Sequence, residues 1–352
     1  MKPKKSKYKL LKWEYWPSSM FYIPNIPFAF LHAIKAKNLS FYTAVNPTIA
    51  NSGIGTESKY KTMQLIPKKY LPITIYHKAN SNVEKTIEDV REKIKTYPLI
   101  AKPDIGFRGL LVQKIASEKE LIRYVKKYPI DILIQEFLTE KNECGIFYLR
   151  YPNDHLGKIT SITLKDFPHI IGDGTQTVEQ LILSNERMRN YKEIIKNCTP
   201  VQLKSIVAKN KKIQLCDIGN HSRGTQFIDG NHLISKKLEE TFTVLNKQIN
   251  GWFYGRIDIK YNTFKDLEKG NFKIIELNGI LAEPTHIYDT SKTNYLQALK
   301  EMRSHWKQLY KIARINHDKN NVPYRSTLGL LKDVKNLKKH TKSITKLYKN
   351  KQ

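Results

Sequence analysis

The sequence predicts a mixed α+β fold. Three observations predict it. Two short stretches, Gly255 to Lys260 and Lys273 to Gly279, alternate polar and apolar residues with the period of a strand. Residues 98 to 137 read as strand, glycine loop, strand, helix, strand. From Ser291 onward Tyr295, Leu296, Leu299, Met302, Trp306 and Leu309 recur at helical spacing.

The chain has 352 residues, of which 40% are hydrophobic and 11% aromatic. That is enough for two or three domains, and it is not a disordered composition. Lys and Arg total 61 against 32 Asp and Glu, a formal charge of +29. Such a balance favours anionic partners: phosphorylated small molecules, an anionic membrane surface or nucleic acid. A lysine-rich, Asn- and Ile-rich composition of AT-rich coding gives the same charge. No zinc-finger, basic-zipper or RNA-recognition signature is present, which counts against nucleic acid. Cys144, Cys198 and Cys216 are scattered without a CxxC pair, so neither a zinc knuckle nor a disulfide framework is indicated. A cytoplasmic location is the simplest expectation.

In chain order, Lys2 to Lys12 is basic, and Met20 to Ile34 is apolar but interrupted by Pro24 and Pro27. This run falls short of the roughly 20 residues that span a bilayer. Its aromatic residues and flanking lysines suit a segment lying peripherally on an anionic membrane at the inner face; a helix packed on the core or on a partner surface explains the same residues and is the favoured reading, since many such aromatics are simply buried. Leu39 to Val45 reads as a strand. Gly53-Ile54-Gly55 resembles a phosphate loop only superficially, since GxxxxGK[ST] is absent, and it feeds a helix from Lys59 to Leu65.

Pro98 to Pro103 reads as a strand carrying Lys102. The loop Asp104 to Gly109 contains Gly106, Phe107, Arg108 and Gly109, and a strand resumes over Leu110 to Ile115. A lysine at a strand end beside a glycine loop suits a polyphosphate; an ordinary hairpin has the same residues. Ser117 and Glu120 form a capping-box pattern for a helix to about Lys127. Asp131 to Phe137 is a strand delivering Glu136. Glu143 precedes a strand over Cys144 to Tyr151, and Gly157 to Leu164 is another. Thr177 and Gln180 give a second capping box, and a polar helical stretch follows to about Asn197. Asn220 to Thr225, with His221 and Arg223, is a polar loop. Ser235 caps a helix running to Ile249. Lys332 to Gln352 reads as a basic helix or tail.

The strand period places Arg256 and Asp258 on one face of the first stretch, and Glu276 and Asn278 on one face of the second, with Ile275 and Leu277 behind them. Folded back on each other, the strands gather an Asp, a Glu and an Asn beside an Arg. Three oxygen ligands of that kind suit a hard divalent cation. A solvated sheet edge would carry the same pattern.

Strung in order, these residues resemble the ATP-grasp superfamily, closest to its D-alanine–D-alanine ligase-like and cyanophycin synthetase-like branches. The resemblance covers about residues 95 to 290. It implies two α+β subdomains clamping ATP, with a short aromatic N-terminal segment (1–66) and a basic helical C-terminal extension (296–352). The grasp region is then 67–295, divided into 67–135 and 136–295. It implies that Lys102 contacts the ATP phosphates and that the loop with Gly106, Arg108 and Gly109 closes over them. Glu136 and Phe137 would form the adenine hinge, and Glu143 would hold the ribose. Arg256 would act with Lys102 in catalysis. Asp258, Glu276 and Asn278 would ligate Mg²⁺, or Mn²⁺ in its place. Either Lys59 or Lys61 would be a first nucleotide-contacting lysine.

The implied activity is ligation of a small-molecule carboxylate to an amine through an acyl phosphate. A grasp enzyme of surface-polymer synthesis at the membrane face and a basic nucleic-acid-binding protein are the alternatives. D-alanine ligases follow the Asn with Thr, small, Pro, Gly, Met, Thr. Here the run is Gly279-Ile280-Leu281-Ala282-Glu283-Pro284-Thr285, so the acceptor pocket differs.

Overall fold

A computed structural model describes residues 12–106, 109–199 and 201–349. The basic start before Lys12, Phe107, Arg108 and the residues after Lys349 lie outside the described residues. Eleven strands are formed among the described residues: β1 (Thr74–His77), β2 (Leu99–Pro103), β3 (Gln113–Ile115), β4 (Ile132–Glu136), β5 (Asn142–Leu149), β6 (Lys158–Asp166), β7 (His169–Ile171), β8 (Lys212–Gln214), β9 (Gln226–Asp229), β10 (Tyr254–Tyr261) and β11 (Lys273–Leu277). The chain divides into two compact units, Met1–Thr163 with Asp229–Gln352, and Leu164–Ile228.

The first unit holds a four-stranded antiparallel sheet in the order β1-β4-β2-β3. In β2 the alternation is clean: Leu99 and Ala101 are buried, whereas Ile100 and Lys102 point to the other face. The buried face packs against helices Val83–Lys93 and Glu118–Lys127 through Ile87, Val90, Leu121 and Val125. Ser117 caps the second helix by accepting from the Glu120 N–H, but the Glu120 carboxylate returns to the Ala116 N–H instead of completing the expected box. β3 is shorter than the sequence suggests. Gly109 and Leu111 adopt positive φ (70° and 60°), a turn conformation that delays the strand to Gln113.

The second sheet runs β11-β10-β5-β6-β9. One face is covered by the helix Lys236–Lys247, capped by Ser235 as expected, whose Phe242 lies against Tyr148 and Phe272. The opposite face carries Glu143, Gly145 and Phe147 of β5 beside Lys260, Asp258 and Arg256 of β10. Its far end, at Phe147 and Tyr254, is covered by the N-terminal segment and the long helix Tyr295–Asn320.

Leu39 to Val45 is not a strand. Phe41–Ala44 is a 3-10 helix, with Phe41, Ala44 and Val45 buried together. Inward residues three and four apart fit a helical turn and not a period of two. The Asn316 amide donates to the carbonyls of Ala44 (2.8 Å) and Val45 (3.2 Å), satisfying groups a sheet would have used.

The basic C-terminal stretch is a helix, Thr327–Lys349. Ile344 is 2% exposed and belongs to the core of the first sheet, with Leu347 and Tyr348 against it.

In the second unit, β7 and β8 pair around Ile170, Val178, Ile182 and Val207. Thr177 and Gln180 form the full capping box. The expected single helical stretch is three short helices, Val178–Ser184, Glu186–Arg189 and Lys192–Cys198. The Asn185 side-chain Oδ1 caps the second of them, accepting from the Met188 N–H.

Candidate active site

The two polar strands lie side by side. β10 pairs antiparallel with β11, and Asp258 stands directly opposite Glu276. The register shifts between Asp258 and Ile259: Ile257 faces Leu277, but Ile259 faces Ile274. Ile275 is therefore the extra residue of a bulge and does not sit behind Glu276 with Leu277, as strict alternation implied. Its carbonyl accepts from Lys102 Nζ at 3.1 Å. The irregularity is what lets a lysine of the first sheet reach the second.

Arg256 is held by three donated hydrogen bonds. Nε and Nη2 donate to the two Asp258 carboxylate oxygens at 3.2 and 3.1 Å, and Nη1 donates to the Glu283 carbonyl at 3.2 Å. Asn278 Nδ2 also donates to Asp258, at 3.1 Å. Gly145 leaves room for this pair: a Cβ there would meet Arg256 Cδ at 2.8 Å and Asp258 Oδ1 at 3.1 Å.

Lys59 supplies the second cation. Its ammonium lies 3.0 Å from Glu276 Oε1 and donates to the Gly106 carbonyl at 3.1 Å. Lys61 is exposed. Of the two lysines left open by the sequence, Lys59 is the one the fold brings to the carboxylates. The glycine loop before it makes this reach possible. Gly53 (φ 85°) passes so close to Gly279 that a Cβ on it would lie 2.6 Å from the Gly279 Cα. Ile280 and Leu281 N–H groups donate to the carbonyls of Ser52 and Gly53. The loop is thus stitched to the chain just past Asn278.

Charge in the site is balanced pairwise. Burial disfavours the Glu276 carboxylate, but Lys59 and Lys102 outweigh it and hold its carboxyl below the usual range. Burial likewise opposes the Lys59 charge, and Glu276, Glu57 and Asp104 together raise its ammonium above the ordinary value. For Lys102 burial wins: its pKa falls to about 8, with Lys59 adding to the fall and Glu276, Glu143 and Asp258 opposing it.

Glu136 is the last residue of β4 and Phe137 follows it. The Glu136 carboxylate accepts from the Ile73 N–H at 2.8 Å, and the Lys114 ammonium lies 4.1 Å above the Phe137 ring. Glu143 is buried on the same face of β5 as Gly145. Gly106 and Gly109 flank the loop whose Arg108 lies outside the described residues. His221 belongs to the second unit, where its ring packs near those of Tyr191 and Phe227. Arg223 lies in the same short turn.

Among the described residues no group of three His, Cys, Asp or Glu side chains gathers as a metal cluster. The expected set is two carboxylates and an amide. Asp258 and Glu276 face each other across the ladder, and Asn278 directs its side-chain N–H₂ at Asp258. Hard oxygen donors of this kind fit Mg²⁺, which is completed by waters and phosphate oxygens.

Comparison with known families agrees with the geometry. Residues 56–189 match the family described as RimK-like ATP-grasp domain. Over that stretch the chain is similar to this family. The matched residues take in Lys59, Lys102, the glycine loop, Glu136 and Glu143; Asp258 and Glu276 on β10 and β11 lie beyond them. No curated protein matches the chain.

Among solved structures it is similar to the VanG D-Ala:D-Ser ligase from Enterococcus faecalis, at 14% identity and TM-score 0.40, over 74% of this chain and 62% of that one. It is also similar to the D-alanine–D-alanine ligase from Bacillus anthracis (14%, TM-score 0.40, 73% and 69%). A third is the L-amino acid ligase from Bacillus licheniformis (14%, TM-score 0.38, 71% and 47%). The chain thus spans less than two thirds of the length of the first of these.

Sequence reading missed two residues beside Arg256. Tyr22 donates to Glu283 at 2.5 Å across 261 positions, and no local pattern announces such a contact. Tyr288 donates to the same carboxylate at 2.7 Å; the departure from the ligase pattern after Asn278 was the signal that could have found it.

Proposed function

We propose that the protein is an ATP- and Mg²⁺-dependent carboxylate–amine ligase. The observation that carries this reading is the convergence of Lys59, Lys102 and Arg256 on Asp258 and Glu276, each cation coming from a different part of the chain. Three cations around two carboxylates make a site for a polyphosphate and a hard metal together.

In this reading adenine sits at Glu136 and Phe137, and Glu143 takes the ribose. Lys59, Lys102 and the glycine loop with Gly106, Arg108 and Gly109 hold the phosphates. Asp258, Glu276 and Asn278 hold Mg²⁺, which when bound neutralises phosphate charge and orients the terminal phosphoryl group. A substrate carboxylate oxygen attacks the γ-phosphorus, the bond to the ADP oxygen breaks, and an acyl phosphate forms. Lys102 and Arg256 stabilise the charge that develops. An amine nitrogen then bonds to the acyl carbon, phosphate leaves, and the amine proton goes to solvent. No protein nucleophile takes part.

The test is ATP-dependent release of ADP and phosphate, screened with amino acids and small peptides. Asp258→Asn should lower the stimulated rate by about 10²-fold or more, the scale for losing one charge-stabilising group. Undiminished turnover in that variant would overturn the metal assignment.

A second reading places the same enzyme at a membrane face. Ile23, Ile26, Phe30, Leu31 and Ile34 are 54–62% exposed along the N-terminal helical turns, next to Lys35 and Lys37. An apolar strip flanked by lysines suits the interface of an anionic bilayer. No described helix is long and apolar enough to cross one. Co-sedimentation with phosphatidylserine vesicles, lost in Ile26→Asp/Phe30→Asp, is the expected result. Equal recovery of both proteins in the supernatant would remove this reading.

A further inference from the structure

Glu283 stands where the chain departs from the ligase pattern, and it is built into its place. Its Oε1 accepts from the Tyr22 hydroxyl at 2.5 Å and its Oε2 from the Tyr288 hydroxyl at 2.7 Å. Its carbonyl accepts from Arg256 Nη1 at 3.2 Å. The loop around it is fixed on both sides: Ile280 and Leu281 are bonded to the Ser52–Gly53 turn, and Thr285 Oγ1 is 3.0 Å from Thr163 Oγ1. Tyr22 itself follows Phe21, which is 1% exposed in a core with Trp13, Ile287, Ala298 and Met302. A residue from the N-terminal segment is therefore brought rigidly to this carboxylate.

Two phenols hold the Glu283 carboxylate, yet no lysine, arginine or histidine forms an ion pair with it among the described residues. A carboxylate offers about four lone-pair sites, so two stay open here. Arg256 has five N–H donors, of which three are used by Asp258 and the Glu283 carbonyl. The remaining two can meet a carboxylate. Side by side, an open anion and a cation with spare donors complement a zwitterion: carboxylate toward Arg256, ammonium toward Glu283.

We propose that Glu283, braced by Tyr22 and Tyr288, binds the α-ammonium group of an amino-acid substrate whose carboxylate lies at Arg256. This rests on the ligase reading and assigns a specificity-determining residue to it. A substrate with its amino group blocked would leave the Glu283 carboxylate desolvated without a cation, held by the two phenols alone, and the site discriminates against it on that ground.

The test uses the full chain with Mg·ATP. Binding of a fluorescent ATP analogue is measured first, because its absence defeats the ligase reading and not this assignment alone. Phosphate release is then screened with the proteinogenic amino acids and their D-isomers, each compared with its N-acetyl and des-amino analogues. The expected result is stimulation by a free amino acid and little by either analogue. In Glu283→Gln the KM for that amino acid should rise at least about tenfold, while nucleotide affinity stays within about twofold.

Tyr288→Phe, which removes one brace and no charge, should raise the same KM in the same direction; it serves if the Gln variant does not fold. The proposal is overturned by an unchanged amino-acid KM in the variant that folds. Equal turnover of an amino acid and its N-acetyl form overturns it too, as does nucleotide binding without stimulation by any amino acid.

Discussion

Lys102 is subject to two demands that conflict. Glu276, Glu143 and Asp258 favour its cation, while burial, with Lys59 adding to it, pulls its pKa to about 8. Below that pH the ammonium is charged; above it the site loses one of its three cations. Polyphosphate favours the charged form, so nucleotide binding near pH 8 should take up a proton, and affinity should fall as pH rises past 8. Calorimetry in buffers of different ionisation enthalpy measures the uptake, and Lys102→Met should abolish it. The sign for stability is opposite. A lysine whose folded pKa is depressed stabilises the fold above its ordinary value near 10.5 and loses that contribution as pH falls through about 8. Lys102→Met should therefore melt no lower than the parent at pH 7, although it binds ATP poorly.

A different kind of residue is Asn46, fully buried and bonded on both sides. Its Oδ1 accepts from the N–H groups of Phe253 and Tyr254 at 2.8 and 3.1 Å, and its Nδ2 donates to the Tyr254 carbonyl at 2.8 Å. It does for the start of β10 what a neighbouring strand would do. Asn46→Ala should cost about 2–4 kcal/mol, because it strands buried backbone groups. Denaturant unfolding measures it; a loss under 0.5 kcal/mol would contradict the role.

At the scale of elements, the site is two irregularities in otherwise regular strands. One is the bulge at Ile275, whose carbonyl receives Lys102. The other is Gly145, opposite Asp258 in β5, where the absent side chain makes space for Arg256. Gly145→Val suits a strand by propensity but displaces the guanidinium. Turnover should fall by about 10²-fold with little change in melting temperature, as expected when reacting groups move by an ångström. Unaltered turnover in a folded Gly145→Val would show that the Arg256–Asp258 pair tolerates displacement.

The alternating residues of β10 and β11 were legible because a strand's period is local. The bulge was not, since a register shift depends on the partner strand. Nor was the 3-10 turn at Phe41–Ala44, whose β-like composition is overridden by packing against the Tyr295–Asn320 helix. Lys59 could be named only as one of two, because the choice is made by Glu276 more than 200 positions away.

Over the whole molecule, the core of the first sheet is completed from a distance. Its strands lie between Thr74 and Glu136, yet Ile344 is buried among them and His340 Nε2 lies 3.0 Å from the Ile105 carbonyl beside the glycine loop. Ile344→Ala should destabilise by about 2–4 kcal/mol, whereas the exposed Leu331→Ala should be neutral within about 0.5. A matched loss in both would mean that the helix contributes by its own propensity and not by docking. The basic character of this stretch was plain in the sequence, and its apolar anchor was not, because one isoleucine among lysines makes no pattern.

The docking of Ile344 also sets an order of events during synthesis. The strands from Thr74 to Glu136 leave the ribosome roughly 200 residues before the isoleucine that fills their core, a delay on the order of 10–40 s at ordinary elongation rates. For that interval the nascent chain carries a sheet with an open apolar gap, and the loop holding Gly106 waits for its last support.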